Sequence, residues 1–308
     1  YPDRNYTSLR EAIGNYCGAS PAHIVVGNGS TELISLLISQ RAPKKALLLG
    51  PTYSEYNREL SLINASTETY LLREEDDFLL NADDFLSACT EDIDLVIICN
   101  PNNPTSSAIQ TGDMERIIRE CKKRNIFVMI DETYVEFAPC IEEITAIPLT
   151  KRYDNLMVIR GVSKFYAAPG LRFGYGITSS EAFLKSLHQH QNPWSLNSVG
   201  AYTGELMLKD TDYFRETRAL ILSERERMFA RLSHMDGYKP YAAYGNFILV
   251  RILKEGLTSF DVFEAAIKNR LMIRDCSSFE SLTGEYIRFC IMNPEDNDRL
   301  LHVLNSLI

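Results

Sequence analysis

The stretch SKFYAAPGLRFGYG, residues 163–176, follows closely on an apolar run, NLMVI, residues 155–159. It puts Lys164 just past a buried strand and Arg172 eight positions on, among small residues. An ammonium is a poor packing element, because burying it is costly unless it is paired or has shed its charge. Either this is a surface loop that happens to be basic, or the lysine is held for covalent chemistry.

Reading outward, other apolar runs have the length and composition of buried strands: HIVVG (23–27), KALLLG (45–50), TETYLL (67–72), DLVIIC (94–99), IFVMID (126–131), LMVIR (156–160) and RFGYGIT (172–178). TELISLLISQ (31–40), GDMERIIRECKKRN (112–125) and EAFLKSLHQH (181–190) have helical spacing. Strands alternating with helices predict an α/β fold, a mostly parallel sheet sandwiched by helices. Its ligand site belongs at the carboxyl ends of the strands. Beyond about residue 205 the pattern changes. A long charged helix (212–232) precedes NFILVRI (246–252), a helix (258–270), LMIR (271–274), YIRFCIM (286–292) and a last helix (294–308). The expectation is a large domain over 1–205 and a smaller α+β C-terminal domain over 206–308.

The 308 residues are 45% apolar and carry a formal charge of −9, with a pI near 5.2. Basic residues form no block, so nucleic acid is not an expected partner. No run of 18 apolar residues and no signal peptide occurs, which predicts a cytoplasmic protein with no membrane partner. The chain starts at Tyr1, not at a methionine, which leaves room for a preceding segment. Seven cysteines, none in a C-x-x-C pair, read as scattered reduced thiols. His188 and His190 read as an exposed helix face, and no metal site is expected.

Polar residues recur just past the strands. After HIVVG, the segment NGSTE opens a helix, and Gly29, Ser30 and Thr31 could cradle a phosphate on free backbone N–H groups. The alternative is an ordinary helix cap at Ser30 or Thr31. No G-x-G-x-x-G follows, so a dinucleotide fingerprint is unsupported. PTYSEY (51–56) brings Tyr53 and Tyr56, which taken alone read as core. NPNNPTS (100–106) is a turn that can aim an amide into a cleft. Asp131 ends a strongly apolar strand, a costly place for a carboxylate without a cationic partner; Tyr134 lies three residues on. Together these make an anion cradle, an aromatic, an amide, a buried carboxylate, a lysine and an arginine. A cationic heterocycle carrying a phosphate and an aldehyde would satisfy them all.

With these residues in order, the chain resembles the class I/II aminotransferase family, the fold-type-I enzymes that use pyridoxal phosphate (PLP). The motifs GNGSTE, PTYSEY, NPNNPT, DETYVEF, SKFYAAPGLRFGY, NFILVR and YIRF carry the resemblance over essentially the whole chain. The wording is similar to the subgroup of histidinol-phosphate aminotransferase and threonine-phosphate decarboxylase. The resemblance implies that Lys164 forms a Schiff base with the PLP aldehyde and later moves protons. It implies that Asp131 pairs with the pyridine nitrogen, that Asn103 and Tyr134 hydrogen-bond the ring's 3-oxygen, and that Tyr53 stacks on the ring. The phosphate falls to Gly29, Ser30, Thr31, Ser163 and Arg172. Tyr1, in YPD, would reach into the site of a second chain, implying a homodimer with a shared active site. Arg288 in YIRF, with Arg274 beside it, would bind the substrate's anionic groups.

Three departures stand out. Gly161 occupies a position usually Ser or Thr, so one phosphate contact is lost or replaced. Ser106 ends a turn that usually ends in Gly, which is expected to change the backbone there but not Asn103. The arm that normally precedes YPD and helps close the site does not occur in these 308 residues, and closure over the substrate depends on it. The expected reaction is transamination of a small anionic, phosphorylated amino acid or amine, with a 2-oxo acid such as 2-oxoglutarate as acceptor. The alternative is decarboxylation of an O-phospho amino acid, to which Pro169-Gly170, NPWSLN (192–197) and RDCSSF (274–279) point. The fold also serves as a sensor module in transcription regulators, but these carry a helix-turn-helix and a basic surface. A relic that no longer binds PLP would not need Lys164, Asp131, Asn103, Tyr134 and Arg172.

Overall fold

The computed structural model describes residues 1–279 and 281–308. In chain order the elements are α1 Thr7–Cys17, β1 Ile24–Asn28, α2 Ser30–Arg41, β2 Lys45–Gly50, α3 Glu55–Leu62, β3 Ser66–Leu71, α4 Ala82–Ala88, β4 Leu95–Cys99, α5 Thr111–Lys123, β5 Phe127–Asp131, β6 Leu156–Gly161 and β7 Phe173–Ile177. Then follow α6 Glu181–His190, α7 Ser198–Met207, α8 Thr211–Ser233, β8 Tyr238–Pro240, β9 Phe247–Ile252, α9 Ser259–Lys268, β10 Arg274–Asp275, β11 Tyr286–Cys290 and α10 Pro294–Ser306.

Two sheets form. A seven-stranded sheet runs β1-β7-β6-β5-β4-β2-β3, and a four-stranded sheet runs β10-β11-β9-β8. In the large sheet β2, β3, β4, β5 and β6 pair in parallel, while β7 runs antiparallel to both β6 and β1. The small sheet is wholly antiparallel. Both faces of the large sheet are covered. Val96, Ile98, Val128 and Ile130 belong to one core, and Leu95, Ile97, Phe127 and Met129 to the other. That strict alternation is why these strands are apolar throughout and not on one side only. Helix α5 buries Met114, Ile117, Ile118 and Cys121, one stripe at helical spacing.

All seven large-sheet strands read from the sequence are present. The helices α1, α3, α4 and α7 and the strand β8 were not read. LMIR (271–274), expected as a strand, pairs only at Arg274–Asp275. The domain boundary expected after residue 205 falls within α7. No helix among the described residues is long and apolar enough to cross a membrane.

Parallel pairing aligns the carboxyl ends of β2, β4, β5 and β6. Cys99 is the register partner of Asp131, and Asp131 of Ile159. The segments that follow these strands therefore gather at one edge.

Candidate active site

Asp131 closes β5 and is buried. The Thr133 N–H donates to its Oδ1 at 2.9 Å, as does the Thr133 hydroxyl. The Tyr56 hydroxyl donates to Oδ2 at 2.7 Å. No Lys or Arg among the described residues forms an ion pair with it. Burial pushes the Asp131 carboxyl up from its ordinary value; bonds from Thr133 and Tyr56, and the charge of Lys164, pull it back. That influence puts Lys164, exposed and five residues beyond Ile159, within electrostatic reach of the carboxylate.

The anion cradle is built by α2 and two glycines. Gly29 caps the helix with φ 83° and offers no side-chain cap, so the first-turn N–H groups, with Ser30 and Thr31, remain available. The cap read at Ser30 or Thr31 is thus Gly29 itself. Glycine suits that positive φ, where a side chain would be strained, and a Cβ would also crowd the Arg172 guanidinium. Gly174 is equally constrained: a Cβ there would overlap the backbone of Gly29 and Ser30. Arg172 thus lies against the cradle, braced by an Nη1 bond to the Pro169 carbonyl at 3.1 Å. Ser163 is half-buried in the turn after β6. At Gly161 a Cβ would stand 3.4 Å from Ser30 Oγ, in ordinary contact. The hydroxyl missing at 161 therefore faces one that α2 supplies.

Tyr53 is partly exposed and meets Tyr56 edge to face at 5.6 Å. Burial pushes its phenol up, and Asp131 and Arg172 both act on it. Tyr134 is buried, its ring edge-on to Phe247 at 5.0 Å, and burial pushes its phenol up as well. Asn103 accepts a hydrogen bond from Arg288 Nη1 through Oδ1, which leaves its Nδ2 hydrogens for another acceptor. Ser106 sits at φ 60°, the region where glycine is most at ease. Serine thus adopts a glycine-like conformation there, and its Oγ accepts from the Gly245 N–H at 2.8 Å.

Arg274 and Arg288 are direct cross-strand partners in the β10–β11 pair. Both line one cleft of about 590 Å³ together with Tyr53, Asn103, Thr52, Asn57 and Ser278. Arg274 donates to Ser278 Oγ at 2.7 Å. The buried Arg288 Nε has no hydrogen-bond partner among the described residues. Tyr1 lies elsewhere on this chain. It is fully exposed, its ring 5.5 Å from Trp194, whose Nε1 donates to the Pro2 carbonyl at 3.0 Å. His188 and His190 are exposed on α6.

The model for "Aminotransferase class I and II" matches residues 1–304. The chain belongs to that family. A putative threonine-phosphate decarboxylase of Caldanaerobacter subterraneus subsp. tengcongensis is 36% identical over 308 residues, 100% of this chain and 83% of that protein. A histidinol-phosphate aminotransferase of Ruminiclostridium cellulolyticum is 30% identical over 310 residues, again covering 100% and 83%. The crystal structure of the histidinol-phosphate aminotransferase from Clostridium acetobutylicum superposes with a TM-score of 0.93 at 30% identity, covering 100% of this chain and 90% of that one. The fold is that of the fold-type-I PLP enzymes. As a class I and II aminotransferase family member, the chain is a PLP-dependent enzyme of the histidinol-phosphate aminotransferase and threonine-phosphate decarboxylase subgroup.

The residues present fit that cofactor. A buried carboxylate with no ion pair among the described residues suits a protonated ring nitrogen. A cradle that any Cβ would fill, with a guanidinium against it, suits a phosphate. What the sequence missed is Tyr56, read as core packing. Its spacing from Tyr53, one helical turn, was the available signal.

Proposed function

We propose that the chain decarboxylates a small O-phospho amino acid. The observation that carries this reading is the pair Arg274 and Arg288, directly opposite one another on β10 and β11 and lining one cleft with Asn103. Like charges facing across a ladder destabilise it. Two guanidiniums are retained at such a position when they meet anions, and each can grip a carboxylate or phosphate with a forked pair of bonds. A substrate carrying both a carboxylate and a phosphate fits them better than one with a single anionic group. The 36% identity to a protein described as a putative threonine-phosphate decarboxylase supports the same substrate class.

Bound PLP supplies an electron sink that makes the bonds to the substrate Cα cleavable. In this reading Asp131 would hold its charge at the ring nitrogen, Asn103 and Tyr134 would hydrogen-bond the ring oxygen, and Tyr53 would cover the ring. The α2 amino terminus and Arg172 take the cofactor phosphate. Arg288 and Arg274 orient the substrate by its two ends, and that orientation decides which Cα bond is activated. Lys164 Nζ returns a proton to the carbon that has lost its carboxylate.

The second reading is transamination of a small phosphorylated amine or amino acid with a 2-oxo acid. It is favoured by the 0.93 TM-score at 30% identity to a histidinol-phosphate aminotransferase. One assay separates the two. The enzyme is mixed with phosphothreonine, phosphoserine or histidinol phosphate, with and without 2-oxoglutarate. Release of CO₂ without need of the oxo acid is expected. Glutamate formed without CO₂ would refute the decarboxylase reading in favour of the second. Arg288→Ala and Arg274→Ala are expected to raise KM without weakening cofactor binding.

A further inference from the structure

Tyr56 does not line the cleft. It is fully buried on α3, and its hydroxyl donates to Asp131 Oδ2 at 2.7 Å. Oδ1 of the same carboxylate is already met twice, by the Thr133 N–H and hydroxyl. Tyr56 is therefore the one partner that the described hydrogen bonds give to Oδ2. A phenol at that distance can only donate to a carboxylate, which has no hydrogen to offer. The bond takes up part of the carboxylate's accepting capacity and stabilises its charged form.

We propose that Tyr56 is a positioning residue for the cofactor ring: its hydroxyl fixes Asp131 Oδ2 and sets how strongly that carboxylate draws the proton of the ring nitrogen. The inference rests on the reading that Asp131 faces that nitrogen. The same short segment does two things, since Tyr53 covers the ring in that reading and Tyr56, one turn on, meets it edge to face. The groups that act on this carboxylate and its surroundings are Tyr56 from α3, Cys99 from β4, Thr133 after β5 and Lys164 after β6, with Tyr53 and Tyr134 flanking. Burial pushes the Tyr56 phenol far up, so it remains a donor throughout the working range. Loss of the donor makes the carboxylate more basic and moves the ring proton toward it. A bound ring would then be the weaker electron sink, and an amine conjugated to it would be the more basic.

The test uses holoenzyme of the unaltered protein and of Tyr56→Phe, Asp131→Asn and the double variant. Two quantities are read: the cofactor dissociation constant and the pH midpoint of the bound cofactor's visible absorption. Tyr56→Phe is expected to weaken cofactor binding about ten-fold, the loss of one hydrogen bond to a charged group, and to move the midpoint upward. In the Asp131→Asn background the same substitution should change neither. Thr133→Val, which removes a donor from Oδ1, should move the midpoint in the same direction and keeps the test open if Tyr56→Phe folds poorly. An Asp131→Asn effect with no Tyr56→Phe effect would overturn the role of Tyr56 alone. No effect of Asp131→Asn would overturn the reading of Asp131 and the inference with it. An equal Tyr56→Phe effect in both backgrounds would show that the tyrosine acts by packing and not through the carboxylate.

Discussion

Glu136 lies behind the site in a buried cluster, and replacing it with glutamine should stabilise the protein at neutral pH while leaving it unchanged in acid. Arg160, itself buried, donates to Glu132 at 2.9 and 2.7 Å, so Glu132 takes most of its charge. Glu136 is left with a looser contact to Arg160 at 3.7 Å, and its Oε2 has no hydrogen-bond partner among the described residues. Tyr16 and Cys17 from α1, Tyr166 after β6, Tyr175 from β7 and Arg218 from α8 also surround it. Burial raises its carboxyl from an ordinary 4.5 to about 7, with Arg160 opposing and Glu132 adding to the rise. The sign follows from proton linkage. Between those values the folded state holds a proton that the unfolded chain releases, so stability falls as pH rises through the window. At about 1.4 kcal/mol per pH unit, the full window amounts to about 3 kcal/mol. Glu136→Gln keeps the shape and cannot ionise. Urea unfolding with saturating cofactor, at steps from pH 4.5 to 8, should show two curves that coincide near 4.5 and diverge until about 7. The variant should end about 3 kcal/mol the more stable. Parallel curves would refute the argument, because they would mean that Glu136 is already ionised when folded.

Three further outcomes are expected. Borohydride should fix the cofactor on Lys164, and a peptide map carrying the label on another lysine would reject that assignment. Arg172→Met should weaken PLP binding by about 10- to 100-fold, the worth of one charge-assisted bond to phosphate, as read by cofactor titration. Glu74 accepts bonds from Arg251 and from Tyr241, the latter at 2.6 Å, linking the segment after β3 to the small sheet. Partial burial raises its carboxyl, but these bonds outweigh that and hold it down at about 2. Its contribution is complete above the ordinary 4.5 and is lost as pH falls through about 2, so the unfolding midpoints of Glu74→Gln and the unaltered protein should converge over that range.

Most of the large sheet was legible because its strands are buried on both faces, and an apolar run of five or six residues is a local signal. The site was legible for a related reason. Asp131 ends a strand and Lys164, Asn103 and Tyr53 each follow one, and a parallel sheet collects such residues at one edge. Helices α3 and α4, of eight and seven residues, were not read because so short a helix owes its stability to the surface it docks on; α1 and α7, as long as helices that were read, were missed without a reason of length. Strand β8 has three residues, too few for alternation to register. LMIR looked like a strand by composition, yet the chain joins the ladder only at Arg274 and Asp275.

The amino-acid order alone determined which strands make the large sheet and which polar residue stands at the end of each, because burial and period act over a few neighbours in the chain. Only the tertiary structure decided who meets whom. It set Tyr56 on Asp131 across 75 positions, Arg288 on Asn103 across 185, and Arg274 opposite Arg288. Such partnerships arise from register and packing between distant segments, which no local pattern encodes.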